Sequence, residues 1–264
     1  MKKFRILILL LTIGLFLNCS KDSDDNQNGG IDKSANLLAT GASAGDILSN
    51  TTFTTLLIEA AYDDGFRPTM ETMNNFETYL RNRTFKEDIQ VVYRQLPSPN
   101  EETLTLQEIG DLESENRTEY NDGETLAIYI YFADAPSDSD DEDEGIVTLG
   151  AVYRNTSMVI HESVVRQLAN QSSLITISDV ETSTLNHEFG HLFGLVDLGS
   201  VMVNNHEDPD AENHCDVAGC LMRAELQFGG GMMGVLEKSK TSKGVAVPTL
   251  DPECILDLQN NGGR

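Results

Sequence analysis

The chain has 264 residues, 39% of them hydrophobic, which is enough for one domain of moderate size with its own core and a leader before it. Its formal net charge is −25. That charge argues against nucleic acid and against anionic lipid surfaces as partners, because both would repel the protein.

Residues 1–19 are predicted to be a leader and not part of the fold. A basic start is followed by an apolar run at 6–17, which is too short for a comfortable transmembrane helix. The sequence Leu17-Asn18-Cys19 resembles a lipobox, the motif whose cysteine bacterial lipoproteins acylate, and the acidic stretch after it resembles the surface-export signals of Bacteroidetes lipoproteins. This resemblance implies an extracytoplasmic, surface-exposed lipoprotein of the outer membrane, held in the membrane through lipid at Cys19. An ordinary cleaved signal peptide is the alternative.

The next segment, residues 20–36, is polar, contains glycine and shows no periodicity. It is predicted to be a flexible tether that holds a folded domain, residues 37–264, away from the membrane.

The first part of that domain alternates between helical and strand-like patterns. Apolar residues at helical spacing predict helices over 46–62, 70–83 and 104–116. Runs rich in β-branched and aromatic residues predict strands over 89–94, 125–132, 147–154 and 157–164. This order predicts an α/β (α+β) fold, with helices packed on a mixed sheet. The segment 150–153 is a candidate edge strand to which a substrate peptide could add, although an ordinary sheet strand fits it equally well.

The segment from His187 to Gly194 has the pattern H-E-x-x-H-x-x-G. Two histidines four residues apart lie on one face of a helix, one turn apart, so His187 and His191 can reach the same zinc ion. Glu188 is placed to act as the general base for an attacking water. Gly194 allows the helix to end in a left-handed conformation, so that the chain can turn back with a third ligand.

Features on both sides of the motif support this interpretation. The sequence Ser178-Asp179-Val180-Glu181 predicts a capping box at the start of the helix. Farther along the chain, His214 and Cys215 are followed by Cys220 and Met222 in the pattern H-C-x4-C-x-M. A core helix with two satisfied histidines is the alternative, but a buried His-Glu-His cluster without a metal is costly to desolvate.

These residues resemble the metzincin metallopeptidases, and the pattern is most similar to that of the archaemetzincins. The resemblance implies a metzincin-like mixed sheet with an active-site helix and a smaller C-terminal subdomain. That subdomain contains a methionine turn beneath the metal, for which Met222 is the candidate. An insertion between Gly194 and His214 departs from the family pattern, which has two residues there.

Because of this insertion the third metal ligand has three candidates. His214 lies in the family's cysteine and methionine context, and we favour it. Asp197 has the close spacing and offers a hard oxygen, while His206 is the remaining histidine of the segment.

Three cysteines remain if Cys19 is lipidated. In an oxidising compartment Cys215 and Cys220 could form a disulfide. In archaemetzincins the equivalent cysteines hold a second, structural zinc. For this chain the resemblance implies a second zinc site formed by Cys215 and Cys220 together with Cys254 and Asp251. Asp251 also fits the N-cap of a helix over 251–260. From the sequence we favour a disulfide or an unpaired thiol.

The sequence therefore predicts a zinc-dependent metalloendopeptidase with a polypeptide substrate. We expect a monomer that contacts the membrane only through its N-terminal lipid. The alternative is a non-catalytic surface binding or adhesion lipoprotein with a structural zinc, whose site would be closed by four protein ligands. Glu188 argues against that alternative, because a structural site has no use for an unligated carboxylate.

Overall fold

The computed structural model describes residues 32–141, 147–241 and 244–264. The predicted leader with Cys19, and residues 20–31 of the predicted tether, lie outside the described residues. The end of the predicted tether lies against the domain. Ser34–Leu37 form a 3-10 helix in which the Asn36 side chain is buried and donates to Glu113 at 2.9 Å. None of the helices in the described ranges is long and apolar enough to cross a membrane.

The domain is built on a five-stranded sheet of mixed direction. Its strands are β1 (Thr55–Asp63), β2 (Asp88–Leu96), β3 (Thr125–Phe132), β4 (Gly150–Arg154) and β5 (Ser157–Ile160). In space the order is β2-β1-β3-β5-β4, with β4 antiparallel to β5 and every other pair parallel. A separate two-stranded ribbon pairs β6 (Glu207–Asp208) with β7 (Ala211–Cys215). The mixed α/β class predicted from the sequence is confirmed.

Helices pack on the sheet and form the C-terminal part of the domain. They are α1 (Ala44–Leu48), α2 (Met70–Arg83), α3 (Leu106–Asn116), α4 (Glu162–Ala169), α5 (Ile177–Leu192), α6 (Gly229–Lys238) and α7 (Pro252–Asn260). The main core lies between the sheet, α2 and α5, where the Phe76 and Phe189 rings meet edge to face at 5.1 Å. Phe189, one residue beyond Glu188, thus anchors the H-E-x-x-H motif in the core.

The predicted helix over 46–62 is wrong. The chain forms the short helix α1 and then β1, a central strand between β2 and β3. A strand covered on both faces is apolar in nearly every position, so its pattern does not alternate and cannot be told from a buried helix.

Several further boundaries differ from the sequence prediction. The predicted strand over 157–164 stops at Ile160, and the rest belongs to α4, whose Glu162 pairs with Arg166 at 2.6 Å across one helical turn. The predicted strand over 147–154 begins at Gly150. Helix α7, with Asp251 as its N-cap, confirms the helix predicted at the C-terminal end.

Candidate active site

Helix α5 carries the H-E-x-x-H motif, and its start is fixed by a capping box. The N-cap is Thr176, whose hydroxyl accepts from the Asp179 N–H at 3.1 Å while the Asp179 carboxylate accepts from the Thr176 N–H at 2.8 Å. The capping box predicted at Ser178 to Glu181 is therefore wrong by two residues. Glu181 instead accepts from Thr69 at the start of α2, which ties the two helices together.

The helix ends just after His191, as the position of Gly194 predicts. Gly194 has φ 71°, and a Cβ there would lie 2.9 Å from the Cβ of Ala44. Glycine is needed because an L side chain would be both strained and crowded at this turn. The turn exposes Asp197 and sends the chain toward the β6–β7 ribbon.

Three histidines meet at the end of α5. His214, from strand β7, lies against the two helical histidines, with ring centroids 5.4 Å from His187 and 5.1 Å from His191. One ligand nitrogen of each residue falls within 4.8 Å of the other two, so the group could hold a metal ion. All three side chains are buried.

The hydrogen bonds of the rings leave nitrogens available for a metal. Nδ1 of His187 donates to the carbonyl oxygen of Leu221 at 2.7 Å, and Nδ1 of His214 donates to the carbonyl of Glu212 at 2.9 Å. Nε2 of His187 and Nε2 of His214 are buried without a partner among the described residues. Unpaired buried polar atoms are costly, and neutral imidazoles fixed by a second hydrogen bond are the usual ligands of zinc. The residues present therefore fit a metal.

Burial and mutual repulsion keep these histidines neutral. Desolvation, followed by the charge of His214, lowers the pKa of His187 to about 4. The pKa of His191 is lowered well below its usual value by burial and then by its two histidine neighbours. Burial also lowers the pKa of His214. A neutral ring is the form that donates a lone pair to a metal.

Glu188 follows His187 on α5 and lies against the edge strand β4. Its Oε1 is buried without a partner among the described residues, while the backbone N–H of Val152 donates to its carboxylate. Burial raises the pKa of this carboxyl to about 8. The strand approaches so closely that a Cβ at Gly150 would lie 2.9 Å from Cγ of Glu188. The prediction that 150–153 is an edge strand of the sheet is confirmed.

Met222 lies on the other side of the helix end. A Cβ at Gly190 would lie 2.2 Å from Sδ of Met222, so the methionine packs directly on the helical turn between His187 and His191. The Cys215 N–H donates to the Met222 carbonyl at 2.7 Å, which joins the Met222 loop to the strand that carries His214.

The other candidates for the third ligand lie elsewhere. Asp197 is exposed. His206 is buried, but its Nε2 lies 3.5 Å from Sγ of Cys254 and 3.5 Å from a carboxylate oxygen of Asp257. The structure therefore brings His214, and neither Asp197 nor His206, to the two helical histidines.

A second group of metal-ligand type forms beside His206. Its members are Cys215, Cys220, Asp251 and Cys254, whose ligand atoms all lie within 4.8 Å of one another. Cys215 donates to Oδ2 of Asp251 at 3.1 Å, and the sulfurs of Cys220 and Cys254 are 3.5 Å apart. The three cysteines are free thiols, so of the two alternatives favoured from the sequence the disulfide is not formed and the thiols are unpaired. Asp251 faces the sulfurs with one oxygen and caps α7 with the other.

Two contributions to the site could not be read from the sequence. The Leu221 carbonyl that orients His187 and the Val152 N–H that holds Glu188 are backbone groups, and any residue type supplies them. Their role depends on the tertiary approach of the Met222 loop and of β4 to helix α5.

The fold is similar to that of a solved structure, the crystal structure of archaemetzincin from Methanopyrus kandleri. The two chains are 15% identical, the TM-score is 0.53, and the match covers 79% of this chain and 96% of that one. No protein-family model matches the chain, and no curated protein matches it. The similarity shows that the two chains share an archaemetzincin-like fold.

Proposed function

We propose that this protein is a zinc-dependent metalloendopeptidase. The observation that carries the proposal is the convergence of His187, His191 and His214, with Glu188 next to His187 on the same helix and one of its oxygens buried without a partner among the described residues. The archaemetzincin-like fold supports it, because that neighbour has the same overall architecture. A site with three protein ligands and a free carboxylate is typical of catalytic zinc, whereas a structural zinc is enclosed by four ligands.

His187, His191 and His214 would hold the metal. When bound, zinc would polarise the scissile carbonyl and lower the pKa of an attacking water to about 7. Glu188 would take the proton of that water on Oε1 and deliver it to the leaving nitrogen. The Val152 N–H holds the carboxylate in place. Burial raises the pKa of Glu188, so the carboxyl would keep the proton it takes from the water until it delivers that proton to the leaving nitrogen.

We further propose that β4 positions a polypeptide substrate. This strand pairs with β5 on one side and ends the described sheet on the other. An extended peptide could pair with that free edge through main-chain hydrogen bonds, which would place its backbone next to Glu188. The close approach of Gly150 to Glu188 supports this position of the strand, because a side chain at residue 150 would displace the Glu188 carboxylate.

The cysteine group is proposed to hold a second, structural zinc. Three thiols and one carboxylate would close the site with four protein ligands. This site would join the strand that carries His214, the Met222 loop and the start of α7, since its residues come from all three.

The location of the protein is proposed from the sequence. The basic start, the short apolar run and Leu17-Asn18-Cys19 support an outer-membrane lipoprotein that faces the outside. Metabolic labelling with a fatty acid, in the parent and in Cys19→Ala, tests this; label that persists in Cys19→Ala would contradict it.

The proposed activity is tested by the isosteric variant Glu188→Gln. Zinc content is measured by elemental analysis, and cleavage of a mixed peptide library by mass spectrometry. We expect both proteins to bind zinc and the variant to lose roughly 100-fold to 10,000-fold in rate, as is usual for loss of a general base. The control Asp197→Asn, an exposed carboxylate near the motif, should cleave like the parent. Zinc in both proteins with cleavage by neither would favour the binding lipoprotein.

A further inference from the structure

A polar cavity lies on a different face of α5 from the histidine site. It has a volume of about 370 Å³ and is lined by one stripe of α2, by Thr182 and Asn186 of α5, and by residues 247–249. Asn186 precedes His187, and successive residues of a helix point about 100° apart, so the cavity does not open onto the histidine nitrogens. None of the residues in the two candidate metal groups lines it.

Four polar atoms of the lining residues are buried without a hydrogen-bond partner among the described residues. They are the Tyr79 hydroxyl, Nε of Arg83, Oγ1 of Thr182 and Oδ1 of Asn186. Thr182 is 4% exposed and Asn186 is 5% exposed, so both side chains are nearly enclosed. Buried polar groups are nearly always paired, so four unpaired atoms among the residues that line one cavity point to a polar site there.

The charge of the cavity differs from that of the whole protein. The chain has 43 Asp and Glu residues, yet none of them is among the described residues that line this cavity, where Arg83 carries the only charge. Arg81, two residues earlier on α2, pairs with Glu77 at 2.8 Å, whereas Arg83 has no ion pair within the described part of the chain. A guanidinium without a carboxylate partner leaves a positive site for an anion.

The donors around Arg83 agree with this charge. Burial raises the pKa of Tyr79, so its hydroxyl keeps its proton and can donate. The Thr182 hydroxyl is a second donor, and the Asn186 amide can present either its oxygen or its NH₂ group.

We propose that this cavity binds a small oxyanionic molecule, a carboxylate or a phosphate. Arg83 would supply the charge and a planar pair of donors, which matches the oxygens of both groups. Tyr79 and Thr182 would donate to the remaining oxygens. The volume suits a metabolite-sized molecule and excludes a folded partner.

The test uses the full chain and follows backbone amide signals by NMR while inorganic phosphate or succinate is added. The variants are Arg83→Gln, Arg83→Lys and Thr182→Val, with Arg81→Gln as the matched control on the same helix. Each titration is run on zinc-loaded and on metal-stripped protein, because phosphate could also bind a metal at the histidine site. Local signals from α2 and α5 separate the two positions.

We expect saturable shifts at Thr78 to Arg83 and at Thr182, with and without zinc. The dissociation constant should rise about tenfold or more in Arg83→Gln, as for loss of a charged hydrogen bond, and stay within about twofold of the parent in Arg81→Gln. Arg83→Lys and Thr182→Val should weaken binding less, and they keep the test valid if Arg83→Gln does not fold. Binding of phosphate alone or of succinate alone would identify the oxyanion.

Two results would overturn the proposal: no saturable shift at these residues with either anion, or unchanged binding in both Arg83→Gln and Thr182→Val. Because the shifts are measured without zinc as well, the outcome is independent of whether the chain is a peptidase.

Discussion

Nδ1 of His187 lies 2.7 Å from the carbonyl oxygen of Leu221, a residue 34 positions later in the chain. The carbonyl can only accept, so the proton sits on Nδ1 and the lone pair of His187 is on Nε2, which faces the other histidines. Leu221 also immediately precedes Met222, whose side chain packs on Gly190. The loop around Met222 therefore orients the first histidine as well as supporting the helix beneath it.

His214 is expected to be the third ligand of the histidine group. Replacing it with alanine removes one of three converging nitrogens. Loss of a residue that only supports a ligand lowers metal affinity by about 10-fold to 100-fold, so loss of a ligand itself should lower zinc affinity at this site by at least about 100-fold. Competition with a coloured zinc chelator measures the change. Asp197→Asn is the control, because Asp197 is exposed. If zinc were lost in that variant and retained in His214→Ala, Asp197 and not His214 would be the third ligand.

The cysteine group is expected to bind its own zinc, giving two equivalents per chain. Cys220→Ser should remove one equivalent and leave the other, while His214→Ala should remove the complementary one, since the two groups share no residue. Elemental analysis of both variants checks this. Mass spectrometry of alkylated peptides reports the thiols of Cys215, Cys220 and Cys254 in metal-stripped protein; a Cys215–Cys220 disulfide in the isolated protein would contradict the expected site.

Gly190 is expected to be intolerant of alanine. A methyl group there would lie 2.2 Å from Sδ of Met222, and forcing it into the core should lower the free energy of unfolding by about 1–3 kcal/mol. Gly234→Ala is the matched control, because Gly234 lies inside α6 with nothing within 4 Å of a new Cβ. It should stabilise the protein by about 0.5–1 kcal/mol through helix propensity.

Urea unfolding of the two glycine variants measures both values. The additional change Met222→Ala should relieve part of the cost at Gly190, because it removes the atoms that would clash. Equal stability of the parent and Gly190→Ala would show that the Met222 loop moves freely away from the helix.

Asp63 is expected to make stability depend on pH. Its Oδ2 accepts from the Tyr131 hydroxyl at 2.6 Å and from the Asp134 N–H at 2.9 Å, but burial dominates and raises its pKa from 3.8 to about 6. The folded state thus holds this proton more tightly than the unfolded chain does. The stabilisation is complete below pH 3.8 and is lost as the pH rises through about 6.

The variant Asp63→Asn keeps the shape of the side chain and removes this titration. We expect the parent to lose stability relative to the variant as the pH rises from 3.8 to about 6, measured by urea unfolding at several values in that window. Asp64→Asn, at the exposed neighbouring position, should run parallel to the parent. Parallel curves for the parent and Asp63→Asn would refute the assignment.

Local patterns predicted much of the secondary structure. The helix over 70–83 and the strand over 125–132 have the bounds that were predicted, because one has a regular apolar face and the other a continuous β-branched and aromatic run. The glycine-rich segment 228–234 belongs mostly to α6. Glycine has a low helix propensity, so this pattern does not favour a helix, yet Gly231 lies where a Cβ would be 2.1 Å from the carbonyl oxygen of Glu225, so the packing requires glycine at that one position.

The spacing of His187 and His191, one helical turn apart and followed by Gly194, was enough to predict that both histidines and Glu188 lie on one helix. It could not choose among His214, Asp197 and His206, since a third ligand reaches the site through the fold and not through helical spacing. Tertiary structure decided that placement. Strand β7 brings His214 to the helix, because Met222 accepts a hydrogen bond from the Cys215 N–H of that strand and packs against Gly190 of the helix. His206 instead lies against the sulfur of Cys254.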